Sequence, residues 1–496
     1  MADAVSEAYE ALRDRYERVV ALQDVDAHLA WDQEVMMPAG GTPARSTQRA
    51  AVAALEHDLI ADEAVADWLA AVDESLAGEQ AAEVREIRRV HDRKCEVPRD
   101  LIERRSATST EAHEIWQEAR AEQDFSIFAP VLEDQVELAR EYAAAIDPDR
   151  DPYAVLFEEY EPDLELSTAE RVLGTLREEL VPRIEAIRES EVTMPDPFEP
   201  VDAEVQESLA RAALDALGYD WDRGRLDVAP HPFSTGTQFD ARITTRFEED
   251  EPLSSLLSTI HEFGHARYTL GLPESAYGSP LGQHRGLTVH ESQSRLWENH
   301  VGRSRAFWEH FAGEVGDRIP GVESDPETLY RAANRVDPDA LIRVEADELS
   351  YHLHIVLRFE IERALIAGEL AVEDVPAVWK DTMEEYLGVR PENPVEGPLQ
   401  DIHWSHGDFG YFPTYSLGSV LAAQLFEAAR NDVPDLPAHI AAGEFDPLGS
   451  WLESAIHGHG RRYPTGDLIE RATGQPLTVE PFLEYVDAKF GECYGL

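Results

Sequence analysis

The chain has 496 residues, 99 of them acidic and 43 basic, for a formal net charge of −56. A charge of that size repels nucleic acid and anionic membranes and argues against both as partners. The 9 Trp, 17 Phe and 16 Tyr, within 43% hydrophobic content, exclude a disordered acidic chain and allow a large core.

Residues 1–10 lack the basic stretch and apolar run of a signal peptide. Residues 5–31 then place Tyr9, Leu12, Tyr16, Val19, Val20 and Leu22 at helical spacing, until Met37-Pro38-Ala39-Gly40-Gly41 breaks the pattern. Amphipathic helices are predicted over 43–72, 78–95, 110–123, 127–145, 168–189 and 203–217, with Pro-rich punctuation near 147–152 and 193–200. Strand patterning is confined to about 225–247. There, Arg225-Leu226-Asp227-Val228 and Arg242-Ile243-Thr244-Thr245-Arg246-Phe247 flank His231-Pro232-Phe233. Leu253, Leu256, Leu257, Ile260, Phe263 and Gly264 return to helical spacing. Further helices are predicted over 284–312, 325–335, 341–368, 376–387, 415–430, 437–442 and 480–490. No stretch approaches 18 uncharged apolar residues, so no membrane span is expected.

Cys95 and Cys493 are the two cysteines, too few for a disulfide framework or a thiolate metal cluster, and a cytoplasmic protein is expected. The acidic residues are spread along the whole chain, and the lysines are Lys94, Lys380 and Lys489 alone. A folded core under such a surface suits molar salt, where charge is screened within about 3 Å. A halophilic source is therefore expected.

The segment His261-Glu262-Phe263-Gly264-His265 carries the chemistry. On a helix, residues four apart lie one above the other, so two imidazoles can bind one ion. Glu262 is turned off that axis, close enough to act on a water without being a ligand. That is the arrangement of a zinc peptidase. A shuffled chain of this composition contains the pattern about once in twelve trials, so two core histidines beside a surface Glu stay open on these five residues alone. A catalytic zinc takes three protein ligands. The continuation Ala266-Arg267-Tyr268-Thr269-Leu270-Gly271 lacks a third His, which leaves a carboxylate from a second helix. Glu291, in His290-Glu291-Ser292-Gln293, is the expected ligand, with Leu296, Trp297 and Val301 packing its helix inward. Asp347 and Glu348 are candidates to back the ligand imidazoles. Together the elements predict a mainly α protein, a large single helical body of one domain over 1–496, with a small β-sheet next to the metal site.

The motifs extend further. His231-Pro232-Phe233, Asp240-Ala241-Arg242-Ile243-Thr244, His261–His265, His290–Gln293, Ile342-Arg343-Val344-Glu345-Ala346-Asp347 and Gly397-Pro398-Leu399-Gln400-Asp401-Ile402-His403-Trp404 occur in that order. In these the chain resembles the carboxypeptidase Taq family of metallocarboxypeptidases. Trp31-Asp32, Met37-Pro38 and the segment from His406 to Tyr415 also look like the family, so the resemblance covers nearly the whole chain. It implies a mostly helical, saddle-like fold with a deep central groove, usually a homodimer. It also implies removal of single residues from peptide C-termini with broad side-chain preference, with zinc and in some members cobalt.

On this reading His261, His265 and Glu291 hold the metal and Glu262 is the general base. Tyr411, Tyr415 and His406 are candidates to stabilise the oxyanion. A carboxypeptidase must also grip a free α-carboxylate, and the planar fork of an Arg suits it. Arg343 is the first choice because it matches a family element. Arg242, with His231, Gln400 and His403, would shape or close the groove. Two alternatives remain open on the sequence: a zinc oligopeptidase cutting internal bonds, and a non-enzymatic acidic binding protein with structural histidines.

Overall fold

The computed structural model describes residues 2–72 and 76–496. The N-terminal helices, Ala2–Val35, Thr42–Ile60, Glu63–Val72 and Glu79–Glu96, wrap a core of their own. Tyr9, Leu12, Tyr16, Val19, Ile60, Val65, Leu69 and Ile87 fill it. The predicted helix 43–72 is broken after Ile60 because Asp62 accepts from the Ala64 N–H at 3.0 Å, starting a new helix, and pairs with Arg15 at 2.9 Å. This cap is fastened to the rest by polar contacts. Tyr16 donates to Gln283 Oε1 at 2.9 Å, Ser279 to Glu83 at 2.6 Å, and Arg285 to Glu86 at 2.8 Å.

Everything after residue 96 shares a second, larger core. Among the described residues three strands interrupt the helices: β1 (Gly224–Val228), β2 (Ser234–Thr237) and β3 (Asp240–Thr245). β3 is central, parallel to β1 and antiparallel to β2. Ala241 and Ile243 of β3 face the core at 1% and 0% exposure, and the strand starts and ends two residues earlier than the predicted 242–247. β2, Ser-Thr-Gly-Thr, has no apolar residue to alternate and was not predicted. Its Gly236 sits at φ 142°, where a Cβ would stand 1.8 Å from the Asp240 carbonyl.

Two further predicted helices are corrected. The span 284–312 is an α-helix over Leu287–Arg295, a π-helical turn over Leu296–Gly302, and a second α-helix, Arg305–Arg318, capped by Ser304. The span 341–368 is helical over Ser350–Ala367, with a short turn at Arg343–Glu345 before it. Asp347 causes that late start: its carboxylate accepts from the N–H groups of Leu349 at 2.8 Å and Ser350 at 3.1 Å. Helices Pro152–Tyr160, Asp446–Ala455 and Thr465–Thr473 were not predicted. No helix among the described residues is long and apolar enough to cross a membrane.

Candidate metal centre

His261 and His265 lie one turn apart on the Pro252–Gly271 helix, ring centroids 4.9 Å apart. Glu291 arrives from the Leu287–Arg295 helix, its Oε2 3.7 Å from His261 Nε2 and 3.4 Å from His265 Nε2. Among the described residues, one potential ligand atom from each of these side chains lies within 4.8 Å of the other two. The two helices can cross this closely because position 264 is glycine. A Cβ there would stand 2.5 Å from the Gln293 carbonyl and 2.6 Å from Ser294 Cα. On its other flank the Glu291 helix meets the Pro413–Asp432 helix at Gly418, where a Cβ would stand 2.5 Å from Glu291 Cβ.

A net of charge surrounds the ligands. His261 Nδ1 is 3.0 Å from Glu298 Oε2, which makes Nδ1 the protonated nitrogen and leaves the Nε2 lone pair free to bind an ion. Arg295 bridges the two carboxylates, donating to Glu291 at 2.8 Å and Glu298 at 3.1 Å, and Arg303 reaches Glu298 at 3.0 Å. Burial alone would raise the Glu291 carboxyl, but His261 and Arg295 outweigh it and hold it well below the usual range. Glu262 is the opposite case: burial pushes its carboxyl up, and the two ligand imidazoles only partly offset this. Its Oε2 is buried with no hydrogen-bond partner among the described residues. Two imidazoles and one anionic carboxylate, with an unpaired carboxyl oxygen beside them, are a donor set that fits a divalent cation, three protein ligands leaving a fourth coordination position open.

Beyond Arg295 the net continues. Its guanidinium lies 4.8 Å from the Tyr351 ring, and Tyr351 OH accepts from Arg343 at 3.0 Å. Arg343 also donates two N–H groups to Asp401, at 2.9 and 2.8 Å, and Asp401 is shared with Arg358 at 2.6 Å. Tyr411 and Tyr415 pack together at 5.3 Å, and the Arg343 guanidinium lies 5.2 Å from the Tyr415 ring. Burial, then the charge of Glu291, pushes the Tyr411 hydroxyl up to about 12, so it stays a hydrogen-bond donor.

A model of the carboxypeptidase Taq (M32) metallopeptidase family matches residues 11–490. The chain belongs to the M32 family. It is a metallocarboxypeptidase, a peptide hydrolase that depends on a divalent metal. It is 38% identical to thermostable carboxypeptidase 1 of Thermus thermophilus, over 98% of this chain and 99% of that protein. It is 37% identical to thermostable carboxypeptidase 1 of Pyrococcus furiosus, over the same shares of each. The crystal structure of an M32 carboxypeptidase from Deinococcus radiodurans superposes with a TM-score of 0.95 at 37% identity, covering 99% of this chain and all of that one. The mainly helical fold with one small sheet is thus the M32 fold.

The other predicted residues of this M32 enzyme fall in separate neighbourhoods. Arg242 pairs with Asp240 at 2.6 Å and lies 4.2 Å from the Trp31 ring, joining the sheet to the N-terminal cap. His231 is exposed on the loop between β1 and β2. Gln400 accepts from the Arg343 N–H at 2.8 Å and donates to the Leu341 and Glu396 carbonyls, so it staples two loops. His403 is 3.4 Å from Tyr415 OH, and burial lowers its pKa to about 3, keeping it neutral. His406 has its ring 5.5 Å from His113 and its Nδ1 3.8 Å from Asp408. Asp347 and Glu348 do not back the ligands: Asp347 caps a helix, and Glu348 accepts from Tyr485 and Lys489, both at 2.6 Å. Glu298 takes that place. Its sequence signal is the spacing i, i+4, i+7 of Glu291, Arg295 and Glu298 on one helical face.

Proposed function

We propose that this enzyme releases single C-terminal residues from peptides with broad side-chain preference, using Glu262 as general base. One observation carries the reading: His261, His265 and Glu291 converge on one point, and the buried Glu262 oxygen beside them is unpaired among the described residues. These three ligands would hold the ion, zinc as first choice and cobalt as an alternative. When bound, the ion supplies Lewis acidity to the scissile carbonyl and to a water. Glu262 takes the proton from the attacking water and passes it to the leaving amine. Tyr411 and Tyr415 offer phenolic donors to the developing oxyanion, with His406 as the more distant candidate.

Arg343 is the proposed grip on the substrate carboxylate. Of its five side-chain N–H groups, two go to Asp401 and one to Tyr351, which leaves two for a ligand. With Arg358 the cluster holds two guanidinium groups against one carboxylate, so it keeps a net positive charge for an anion. Arg242, His231, Gln400 and His403 are proposed to shape the groove around this end. One catalytic domain over 1–496, a homodimer, a cytoplasmic location and a salt-adapted surface complete the proposal.

The test is mass analysis of products from a defined peptide, in free-acid and C-terminally amidated form, with and without chelator. Single-residue ladders from the free acid alone, lost with chelator, are expected. Internal cuts in the amidated peptide would overturn the assignment of a carboxylate grip.

A further inference from the structure

The two ligand imidazoles are held in different ways. His261 is fixed by the hydrogen bond from Nδ1 to Glu298 at 3.0 Å. His265 Nδ1 is buried and has no hydrogen-bond partner among the described residues. Its ring lies instead face to face with His290, centroids 4.4 Å apart and planes 25° apart. We propose that His290 is a positioning residue that fixes the His265 ring by stacking, in place of the hydrogen bond that serves His261. The inference rests on His265 being a metal ligand.

The stack is itself built on firm ground. His284 packs edge-on against His290 at 4.6 Å, and Tyr268 lies 5.6 Å from the same ring. Arg285 pins both flanking rings through its backbone. Its N–H donates to Tyr268 OH at 3.0 Å, and its carbonyl lies 3.0 Å from His284 Nδ1. Arg285 is 1% exposed and tied to Glu86 of the N-terminal cap at 2.8 Å. His290 also directly precedes Glu291, so one helix delivers a ligand and the ring that holds the other ligand. The close crossing at Gly264 sets how near that ring can come. A ring pair cannot select a tautomer, but it does restrict rotation about χ2, the freedom that an unpaired imidazole retains.

The test is zinc affinity, read by competition with a chelator of known affinity, which needs no turnover. His290→Ala and His290→Asn both remove the ring and are expected to weaken zinc binding roughly three- to tenfold. His290→Phe keeps a ring and is expected to stay within about twofold of the parent. Thermal unfolding of each metal-free variant separates a folding defect from a lost stack. His265→Ala is the reference and should abolish stoichiometric binding. If it does not, the ligand assignment itself fails. If it does, while either ringless variant binds as tightly as the parent, the stacking role is overturned. A folded His290→Phe as weak as His290→Ala would overturn it too.

Discussion

The roles proposed for Glu262 and Arg343 are separable, and each can be tested alone. Glu262 is 6% exposed and not among the three ligands, so removing its charge should spare the metal. Glu262→Gln is expected to lower kcat by about 10³-fold with zinc content unchanged by elemental analysis. A variant that retained turnover would remove it as base. At Arg343, a charge-assisted pair is at stake. Arg343→Lys keeps the charge but loses the fork, and should raise KM for free-acid peptides about tenfold or more. Amidated peptides, which lack the carboxylate, should go uncleaved by parent and variant alike. The convergence of His261 and His265 was legible because a helix converts spacing into direction, whereas Glu291 sits on a second helix and was reached because no third His follows His265. Glu298 was less legible: its spacing from Glu291 and Arg295 places it on their face, but no spacing says which ring nitrogen it meets. Arg343 was legible as a residue type, but its three existing bonds were not, since Asp401 and Tyr351 come from other segments.

Between elements, contact is decided by missing side chains and by caps. Gly418 lets the Pro413–Asp432 helix press on Glu291 itself. Gly418→Ala should therefore weaken zinc binding and cost about 1–3 kcal/mol of stability in denaturant unfolding, since the methyl meets a side chain already locked on both faces. The same ligand helix is capped from afar. Glu161 accepts from Thr288 N–H at 2.5 Å and from Thr288 Oγ1 at 2.6 Å, while its Oε2 is buried without a partner among the described residues. Burial raises this carboxyl from 4.5 to about 8, the Thr288 bonds and the Arg285 charge offsetting only part of it. A raised carboxyl favours folding below its unfolded pKa, and that contribution is lost as pH climbs towards 8. Glu161→Gln mimics the protonated form, so its Tm should gain on the parent between about pH 4.5 and 8 and then hold steady. A difference that stays flat over that window would contradict the shift. Neither Gly418 nor Glu161 had a sequence signal, because each acts on a helix far away in the chain. The broken helices at 296–302 and 341–349 were hidden for a related reason. Hydrophobic spacing continues through a π turn, and Asp347 announces a cap only once its carboxylate is seen on the Leu349 and Ser350 amides.

For the molecule as a whole, charge is the property that composition states outright, while the arrangement of cores is not. Helical spacing marks the apolar faces of the first four helices but not that they turn on each other to form a separate cluster. That cluster meets the larger body through polar links: Arg285–Glu86, Ser279–Glu83, Tyr16–Gln283. Such a joint is sensitive to the field around it. Many of the ion pairs are exposed, as at Arg99–Glu103, and pairs of that kind contribute about 0–1 kcal/mol each. They cannot offset the mutual repulsion of a chain at −56. Screening can, because the Debye length falls from about 30 Å at 0.01 M to about 3 Å at 1 M salt. The Tm should therefore rise steeply as KCl is raised to about 1 M and more slowly beyond, where little screening remains to be gained. NaCl should act alike at equal ionic strength, whereas sucrose, which screens nothing, should not reproduce the early rise. If the fold and activity are as good at 0.01 M as at 3 M salt, the acidic surface is no adaptation to salt. A rise reproduced by sucrose would place the effect in solvent exclusion from the surface instead of charge.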